Sequence, residues 1–300
     1  MNKKLLQQAA LDCLKQYEFV EATAPIASGQ AAWLALAFSR LDERLALHWL
    51  KTAIQRQGNY SQPAAASHVS EFSPVYGWIL GHLHQTSKNK PAFLQEIRPL
   101  YSEIIGLHRV IYANFDLSGD GLIATEGPGS VGLTSHYLHA PPLNGLEDPF
   151  FNAMLIWSNE HLIRIGGLLR EDVQEIIEWN DLAIWSMNEK LWDENAGGYL
   201  PYDLNRESTT EEISINSFLP LAAGIPTQEQ AEMMHETLVK KALSANAWTL
   251  NWLLYKGLLR YEMRETAVDL KRETLAAALS YPADTPEKAA VVLEWLCANR

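Results

Sequence analysis

The sequence predicts an all-α protein built as an (α/α)6 toroid, a closed ring of six helical hairpins, with at most a short β-hairpin near residues 191–204. Helical patterns follow one another with few competing strand signals, and their connections alternate between short and long. The sequence has neither a solenoid repeat period nor a composition break typical of a linker. Residues 1–300 are therefore expected to form one domain, with an open α-solenoid as the structural alternative.

The N-terminal half supplies helices with recognisable start signals. The first, MNKKLLQQAALDCLKQYEF, is amphipathic and interrupted by polar residues, unlike a secretory signal. Asp42 is placed as an N-cap, and Ser73 followed by Pro74 predicts the start of another helix. Pro91 opens a long helix that runs to Asn114 with apolar side chains at helical spacing.

The C-terminal half continues in the same way. Residues 149–166 and 170–191 predict two helices, and the phrase WDENAGGYLPYDL after them predicts a short hairpin or an extended excursion. Thr227 and Gln230 form a predicted capping box, because the hydroxyl can accept from the third amide while the Gln side chain reaches back. Further helices are expected from about residues 228, 247, 264 and 286, the last capped by Thr285, which brings the count to about twelve.

Residues 116–149, DLSGDGLIATEGPGSVGLTSHYLHAPPLNGLEDP, form an irregular stretch between two strongly helical segments. Its Gly and Pro residues and its lack of a helical period argue against a regular element. A structureless segment of this length inside a compact protein is typical of a functional loop. This stretch is therefore the first place to expect a site.

The composition limits the partners and the location. A net charge of -12 argues against nucleic acid and anionic membrane surfaces as partners. The two cysteines, Cys13 and Cys297, neither build a disulfide framework nor match a zinc-ligand spacing. No apolar run is long enough to span a bilayer, so a cytoplasmic location is the default expectation. Ten Trp and eleven Tyr exceed what a helical core of this size needs, so part of this aromatic surface is expected to line a cavity.

Five phrases together resemble the (α/α)6-barrel glycosidases of the processing α-glucosidase I and mannosylglycerate hydrolase type. They are SGDGLI from Ser118, EDPFFNAMLI from Glu147, LWDENAGGYLPYDL from Leu191, SFLPLAAGIPT from Ser217 and NWLLYKGLLRY from Asn251. The resemblance implies a barrel whose central cavity binds a small saccharide. It also implies inverting hydrolysis, which needs a general acid and a general base roughly 6.5–9.5 Å apart. No cofactor is expected.

The chain departs from the family pattern at both catalytic positions. The family Glu of a Trp-Glu-Ser-Gly phrase matches Glu126, but the catalytic Asp of the family falls at about Ser130, which cannot donate a proton at a useful pKa. The long aromatic loop that carries the family base is replaced here by SYPADTPEK, whose carboxylates are Asp284 and Glu287. The resemblance therefore supports the fold more strongly than the reaction.

Three carboxylates are the candidate catalytic residues. Glu126 comes first, because it lies in the long irregular stretch and matches a family position. Glu71, and either Glu211 or Glu212, are possible partners by their location in connections before helices. A solvated or hydrogen-bonded structural role is the alternative for each of them.

Aromatic and polar side chains supply the candidate substrate contacts, because indole and phenol rings offer faces on which a sugar can stack. Core packing is the alternative for each indole. The candidates are Trp33, Tyr60, Gln62, Trp78, His136, Tyr137, Trp248 and Trp252.

Asp116, Ser118 and Asp120, followed by Gly121, have the alternating oxygen spacing of a calcium loop. The twelfth position of this loop is Gly127 and not the bidentate Glu, so a cation-free hydrogen-bonded turn is favoured. No metal site is predicted.

Three functions remain open. The first is a glycoside hydrolase that acts on a small glucosyl- or mannosyl-containing compound. The second is a non-catalytic sugar-binding barrel, and the third is the same barrel reused for isomerase or cyclase chemistry on a non-sugar small molecule.

Overall fold

The computed structural model describes residues 3–18, 28–58, 73–125, 145–210, 213–240, 247–280 and 283–297. Within these ranges the chain forms twelve α-helices, none of which is both long and apolar enough to cross a bilayer. The odd-numbered helices are α1 (Lys3–Lys15), α3 (Glu43–Gly58), α5 (Lys90–Phe115), α7 (Gln174–Ser186), α9 (Gln228–Lys240) and α11 (Arg264–Ser280). The even-numbered helices are α2 (Ser28–Phe38), α4 (Tyr76–Thr86), α6 (Pro149–Leu169), α8 (Pro220–Ala223), α10 (Trp248–Arg260) and α12 (Pro286–Cys297).

The even-numbered helices form a closed inner ring. Each packs on the next in chain order, from α2 through α4, α6, α8 and α10 to α12, and α12 packs back on α2. The outer helices lie against this ring, with α3 on α2 and α4, α5 on α4 and α6, and α1 on α12. The predicted all-α toroid is therefore confirmed, because the contact of α12 with α2 excludes an open solenoid. The extent of the domain over residues 1–300 stays a prediction.

Glycine lets two inner helices approach closely. A Cβ atom at Gly77 would lie 2.5 Å from the carbonyl oxygen of Ser158, and one at Gly81 would overlap the ring of His161. The amide of Gly77 instead donates to Ser158 Oγ at 2.8 Å. Gly77 and Gly81 therefore set the distance between α4 and α6 by lacking side chains.

A buried ion pair joins the two ends of the ring. Glu294 of α12 is 2% exposed, and its Oε1 accepts from Arg40 Nε at 2.9 Å and lies 3.1 Å from His82 Nε2 of α4. Burial raises the pKa of Glu294, but the contacts with His82 and Arg40 outweigh burial and lower it to about 2. The carboxylate therefore stays ionised and ties α12 to α4 and to the turn after α2.

The predicted helix caps are present. Asp42 Oδ1 accepts from the amide of Arg44 at 2.9 Å, just before α3 begins. The amide of Thr227 donates to Gln230 Oε1 at 2.8 Å, and the amide of Gln230 donates to Thr227 Oγ1 at 3.2 Å. Thr285 also caps α12. These signals could be read from sequence because each cap involves residues within one helical turn.

Two predicted helix starts were wrong. The helix expected at Ser73 begins at Tyr76, after a turn. The helix expected over residues 170–191 begins at Gln174, because Arg170 adopts a left-handed conformation with φ 60° and ends α6. This segment also changes type near its end, where Met187–Leu191 form a π-helical turn.

In the described parts of the connections, the chain forms six strands of two residues each. They are β1 (Ala124–Thr125), β2 (Leu146–Glu147), β3 (Trp192–Asp193), β4 (Gly198–Tyr199), β5 (Tyr202–Asp203) and β6 (Ser208–Thr209). The pairing of β3 with β4 confirms the predicted hairpin. The antiparallel sheet in the order β1-β2-β5-β6 was not predicted, so the expectation of no regular element in residues 116–149 was wrong for β1 and β2. Strands of two residues have too little periodicity to be recognised in a sequence.

Replacing Glu294 by Gln should lower the free energy of unfolding at neutral pH and weaken its dependence on pH in acid. Because the folded pKa of Glu294 lies below its ordinary value of 4.5, its ionisation stabilises the fold above pH 4.5, and this contribution is lost as the pH falls towards 2. The contribution is about 3 kcal/mol. Urea unfolding followed by circular dichroism at several pH values should show E294Q less stable at pH 7 and flatter between pH 4.5 and 2. D284N, which alters an exposed ion pair with Lys288, is the matched control. If the free energy of unfolding of E294Q fell between pH 4.5 and 2 as steeply as that of wild type, Glu294 would not be the group responsible.

Candidate active site

The long connections lie at one end of the ring. Outer and inner helices alternate along the chain. The connections that lead from an outer helix to the next inner helix therefore lie at one end of the ring, and the short turns that lead from an inner helix to the next outer helix lie at the opposite end. The connections therefore collect at the N-terminal ends of the inner helices. Seven of the predicted site residues fall in these connections and lie outside the described residues. They are Tyr60, Gln62, Glu71, Glu126, His136, Tyr137 and Glu212.

Three of the four predicted indoles meet at the centre of the ring. Trp33 of α2 lies edge-to-face against Trp78 of α4, with 6.4 Å between ring centroids, and against Trp252 of α10 at 6.2 Å. The Trp78 and Trp252 centroids are 5.8 Å apart. Trp157 of α6, which the sequence did not single out, stacks on Trp78 with centroids 5.1 Å apart. Four inner helices thus contribute one aromatic layer, defined here as Trp33, Trp78, Trp157 and Trp252.

Trp248 stands apart from the aromatic layer. It lies at the first residue of α10, one turn before Trp252, and is 3% exposed. The ammonium of Lys288 in α12 lies 5.5 Å from the centroid of its ring. Trp248 is therefore placed between the aromatic layer and the end of the ring where the connections enter.

Within the described ranges, two indole N–H groups of the aromatic layer have no conventional acceptor. Trp33 Nε1 and Trp78 Nε1 are buried, and neither donates to an oxygen or nitrogen atom in the part of the chain that the structure describes. Their edge-to-face neighbours offer π faces, which accept an N–H group only weakly. A ligand oxygen that reached these two groups would gain hydrogen bonds without displacing a protein partner.

Polar groups follow the aromatic layer at a constant spacing. His82, His161 and Lys256 come four residues after Trp78, Trp157 and Trp252, which places them one turn farther along the same helix faces. Burial, together with the charge of Arg164, lowers the pKa of His161 to about 3, and burial also lowers the pKa of Lys256. The interior of the ring therefore changes from aromatic to polar towards the C-terminal ends of the inner helices.

A second polar cluster lies where β2 precedes α6. Glu147 is fully buried, with Oε2 2.7 Å from Lys190 Nζ and Oε1 accepting from Ser118 Oγ at 2.9 Å. Lys190 Nζ also lies 2.7 Å from Asp120 Oδ2. Burial raises the pKa of Glu147, and the ammonium of Lys190 opposes this effect. The contacts span residues 118–190, and no spacing pattern along the chain predicted them.

The turn with calcium-like spacing is held by hydrogen bonds within the protein. Asp116 accepts from the amides of Asp120 at 3.1 Å and Gly121 at 3.0 Å, and Asp120 Oδ1 accepts from the amide of Leu122 at 3.0 Å. Ser118 is directed to Glu147. Among the described residues there is no group of three His, Cys, Asp or Glu side chains that could hold a metal ion.

A family model for the mannosylglycerate hydrolase MGH1-like glycoside hydrolase domain matches residues 26–249. The chain belongs to this family. The match to this glycoside hydrolase domain spans α2 to the start of α10 and therefore includes Trp33, Trp78 and Trp157. A curated relative, the mannosylglycerate hydrolase of Thermus thermophilus, is 29% identical over 152 residues, which cover 43% of this chain and 36% of the relative. The sequence alignment thus spans about a third of that relative.

Solved structures share the fold along most of this chain. The family 63 mannosylglycerate hydrolase from Thermus thermophilus, in complex with Tris, superposes with a TM-score of 0.82 at 20% identity, covering 97% of this chain and 99% of the other. Neutral trehalase from Saccharomyces cerevisiae superposes with a TM-score of 0.69 at 11% identity, covering 90% and 71%. A family 76 mannosidase from Bacteroides thetaiotaomicron gives 0.58 at 10% identity, covering 99% and 98%. These similarities concern the fold.

Truncation of Trp252 should show how far the ring depends on its aromatic layer. Trp252 is 1% exposed, so Trp252→Ala leaves a cavity between α2, α4 and α10, and we expect a loss of about 3–5 kcal/mol. Urea unfolding followed by circular dichroism measures it. Trp185→Ala, which removes an indole that is 60% exposed, is the matched control and should change little. Equal effects of the two substitutions would contradict the central role of the layer.

Proposed function

We propose that this chain is a glycosidase that hydrolyses a small glucosyl- or mannosyl-containing compound with inversion at the anomeric carbon. The observation that carries the proposal is the match of the glycoside hydrolase family model to residues 26–249. The closed ring with an aromatic layer across its centre supports it, because such a layer provides a floor for a sugar entering from the connection end. Mannosylglycerate, on which a relative acts by its name, is the first substrate to try.

Glu126 is the proposed general acid, and Glu71 or Glu212 is the proposed base that activates water. Glu126 directly follows Thr125, whose strand β1 is paired with β2. The sheet does not favour pairing Glu126 with Glu212. Strands β1 and β6 are its opposite edges, three strand spacings or roughly 14 Å apart, and the chain leaves them in opposite directions. Glu71, which precedes α4, is therefore the first base to test.

Sugar contacts are assigned to both described and undescribed parts of the chain. Trp33, Trp78, Trp248 and Trp252 are the proposed contacts on the inner helices. Tyr60, Gln62, His136 and Tyr137 are the proposed contacts on the connections. Within the described residues, the indole N–H groups of Trp33 and Trp78 have no protein acceptor, which supports them as donors to sugar hydroxyls. Because both groups are buried, such a contact requires the indole rings to shift when the sugar binds.

Hydrolysis should be measured on mannosylglycerate and on short mannosyl and glucosyl compounds, with proton NMR to identify the first anomer released. An anomer opposite to that of the substrate is expected. Glu126→Gln should lower kcat by about 1,000-fold, because it removes the transferable proton. The kcat values of Glu71→Gln and Glu212→Gln are then compared, and the variant with the larger loss of kcat identifies the base. No turnover of any compound, or full activity of Glu126→Gln, would overturn the proposal.

Trp78→Phe tests the role of the unpaired indole N–H. It removes one hydrogen-bond donor and keeps an aromatic ring, so we expect sugar affinity to fall about 10-fold, which corresponds to one hydrogen bond. Isothermal titration with the sugar measures the change. Trp49→Phe is the matched control, because Trp49 also has a buried N–H without a partner in the described residues but lies on the outer helix α3. Equal losses in the two variants would exclude a direct contact.

A non-catalytic sugar-binding barrel is the second candidate. It is favoured by Ser130, which stands near the position of the family acid, and by Asp284, which precedes α12. Asp284 is exposed and bound to Lys288 at 2.8 Å, and this contact lowers its pKa, as suits a surface ion pair. Saturable sugar binding that raises the melting temperature without any hydrolysis would establish this function in place of the first.

A further inference from the structure

The π-helical turn after α7 places Lys190 against two acidic segments. Met187–Leu191 continue α7 with a wider turn, which is uncommon in proteins and is often found at functional sites. Ser186, just before it, donates from Oγ to the carbonyl oxygen of Asp120 at 2.6 Å. The end of α7 is thereby held against the Asp120 turn, and Lys190 extends from the π-helical turn towards Glu147.

The ammonium of Lys190 contacts three separate groups. It lies 2.7 Å from Glu147 Oε2, 2.7 Å from Asp120 Oδ2 and 4.6 Å from the centroid of the Tyr202 ring. Glu147 and Tyr202 are paired residues on neighbouring strands, so their side chains lie on the same face of the sheet. One cation therefore connects β2, β5 and the turn that leads into β1.

The contact with Glu147 matters most because Glu147 has no access to water. A buried carboxylate without a cation would be strongly destabilising, and the hydroxyl of Ser118 alone cannot neutralise it. Two carboxylates share one ammonium here. The Lys190 ammonium thus has the position that a bound cation would have between two carboxylates, but the protein supplies it. Lys190 thus lies between the carboxylates of Glu147 and Asp120, and Ser118 donates to the other oxygen of Glu147.

We propose that Lys190 is a positioning residue for the candidate active site, acting as an internal cation that fixes the strand pair from which the connection carrying Glu126 starts. Glu147 lies directly opposite Ala124 in the β1–β2 pair, and Thr125 is the last described residue before Glu126. A shift of Glu147 therefore moves the start of that connection. The assignment rests on the proposed function where it names Glu126.

The experiment compares K190A, K190R and wild type in kcat, KM, melting temperature and amide exchange of residues 122–125 and 146–147. K190A should lower kcat about 100-fold with little change in KM, because small misplacement of a catalytic group reduces rate more than binding. Exchange of these amides should become faster. K190R, which keeps the charge, should recover most of the activity. Added n-propylammonium, which has the atoms removed in K190A, should restore part of the rate and slow the exchange.

Arg40→Met is the matched control. It breaks the ion pair of Arg40 with buried Glu294 and should lower the melting temperature without changing kcat. If R40M loses as much activity as K190A, or if folded K190A keeps its kcat, the positioning role is overturned. Should K190A fail to fold, K190Q, which removes the charge but keeps most of the side-chain volume, is measured in its place by the same criteria.

Failure of the proposed function can be told apart from failure of this inference. If wild type hydrolyses no sugar, the proposed function fails, and amide exchange decides alone. Faster exchange of residues 122–125 in K190A, slowed again by n-propylammonium but not by equal sodium chloride, supports Lys190 as the internal cation. Unchanged exchange overturns it.

Discussion

The buried contact of Glu294 with Arg40 and His82 joins the two ends of the inner ring. These residues belong to α12, to the turn after α2 and to α4, so one carboxylate connects the last helix with the first two inner helices. An (α/α)6 ring has no hydrogen-bonded seam, and side-chain contacts between the first and last inner helices must provide closure. A buried charge can do so only while it is paired, and the ring therefore carries an ionic constraint at its seam.

Closure also determines how the interior is used. Once six helices surround one axis, side chains on their inner faces must share a narrow space, and the four indoles fill it by edge-to-face and stacked contacts. One turn farther along, His82, His161 and Lys256 replace the indoles. The aromatic layer thus separates a polar interior at the C-terminal ends of the inner helices from the end at which the connections enter. A ligand from the connection end would meet the indoles first.

The connections gain order from a few long-range contacts. Strands of only two residues pair β1 with β2 and β2 with β5, and Lys190 holds this sheet to the Asp120 turn. Isolated pairs this short are marginal in water, so their order depends on the packing of α6 and α7 beside them. The fold of the helices and the geometry of the candidate site are in this way linked at one polar cluster.

The sequence by itself determined the helical class, the helix count and the local caps at Asp42, Thr227 and Thr285, because periodicity and capping act within one or two helical turns. The resemblance of its phrases also identified the family. The tertiary structure alone decided that Trp157 joins Trp33 and Trp78, that Lys190 meets Glu147 and Asp120, and that Glu294 pairs with Arg40. Each of these contacts joins residues from separate helices or connections, and only packing of the ring brings them together. No local sequence pattern predicts these contacts, because the free energy that favours them arises only when the ring closes and buries the groups.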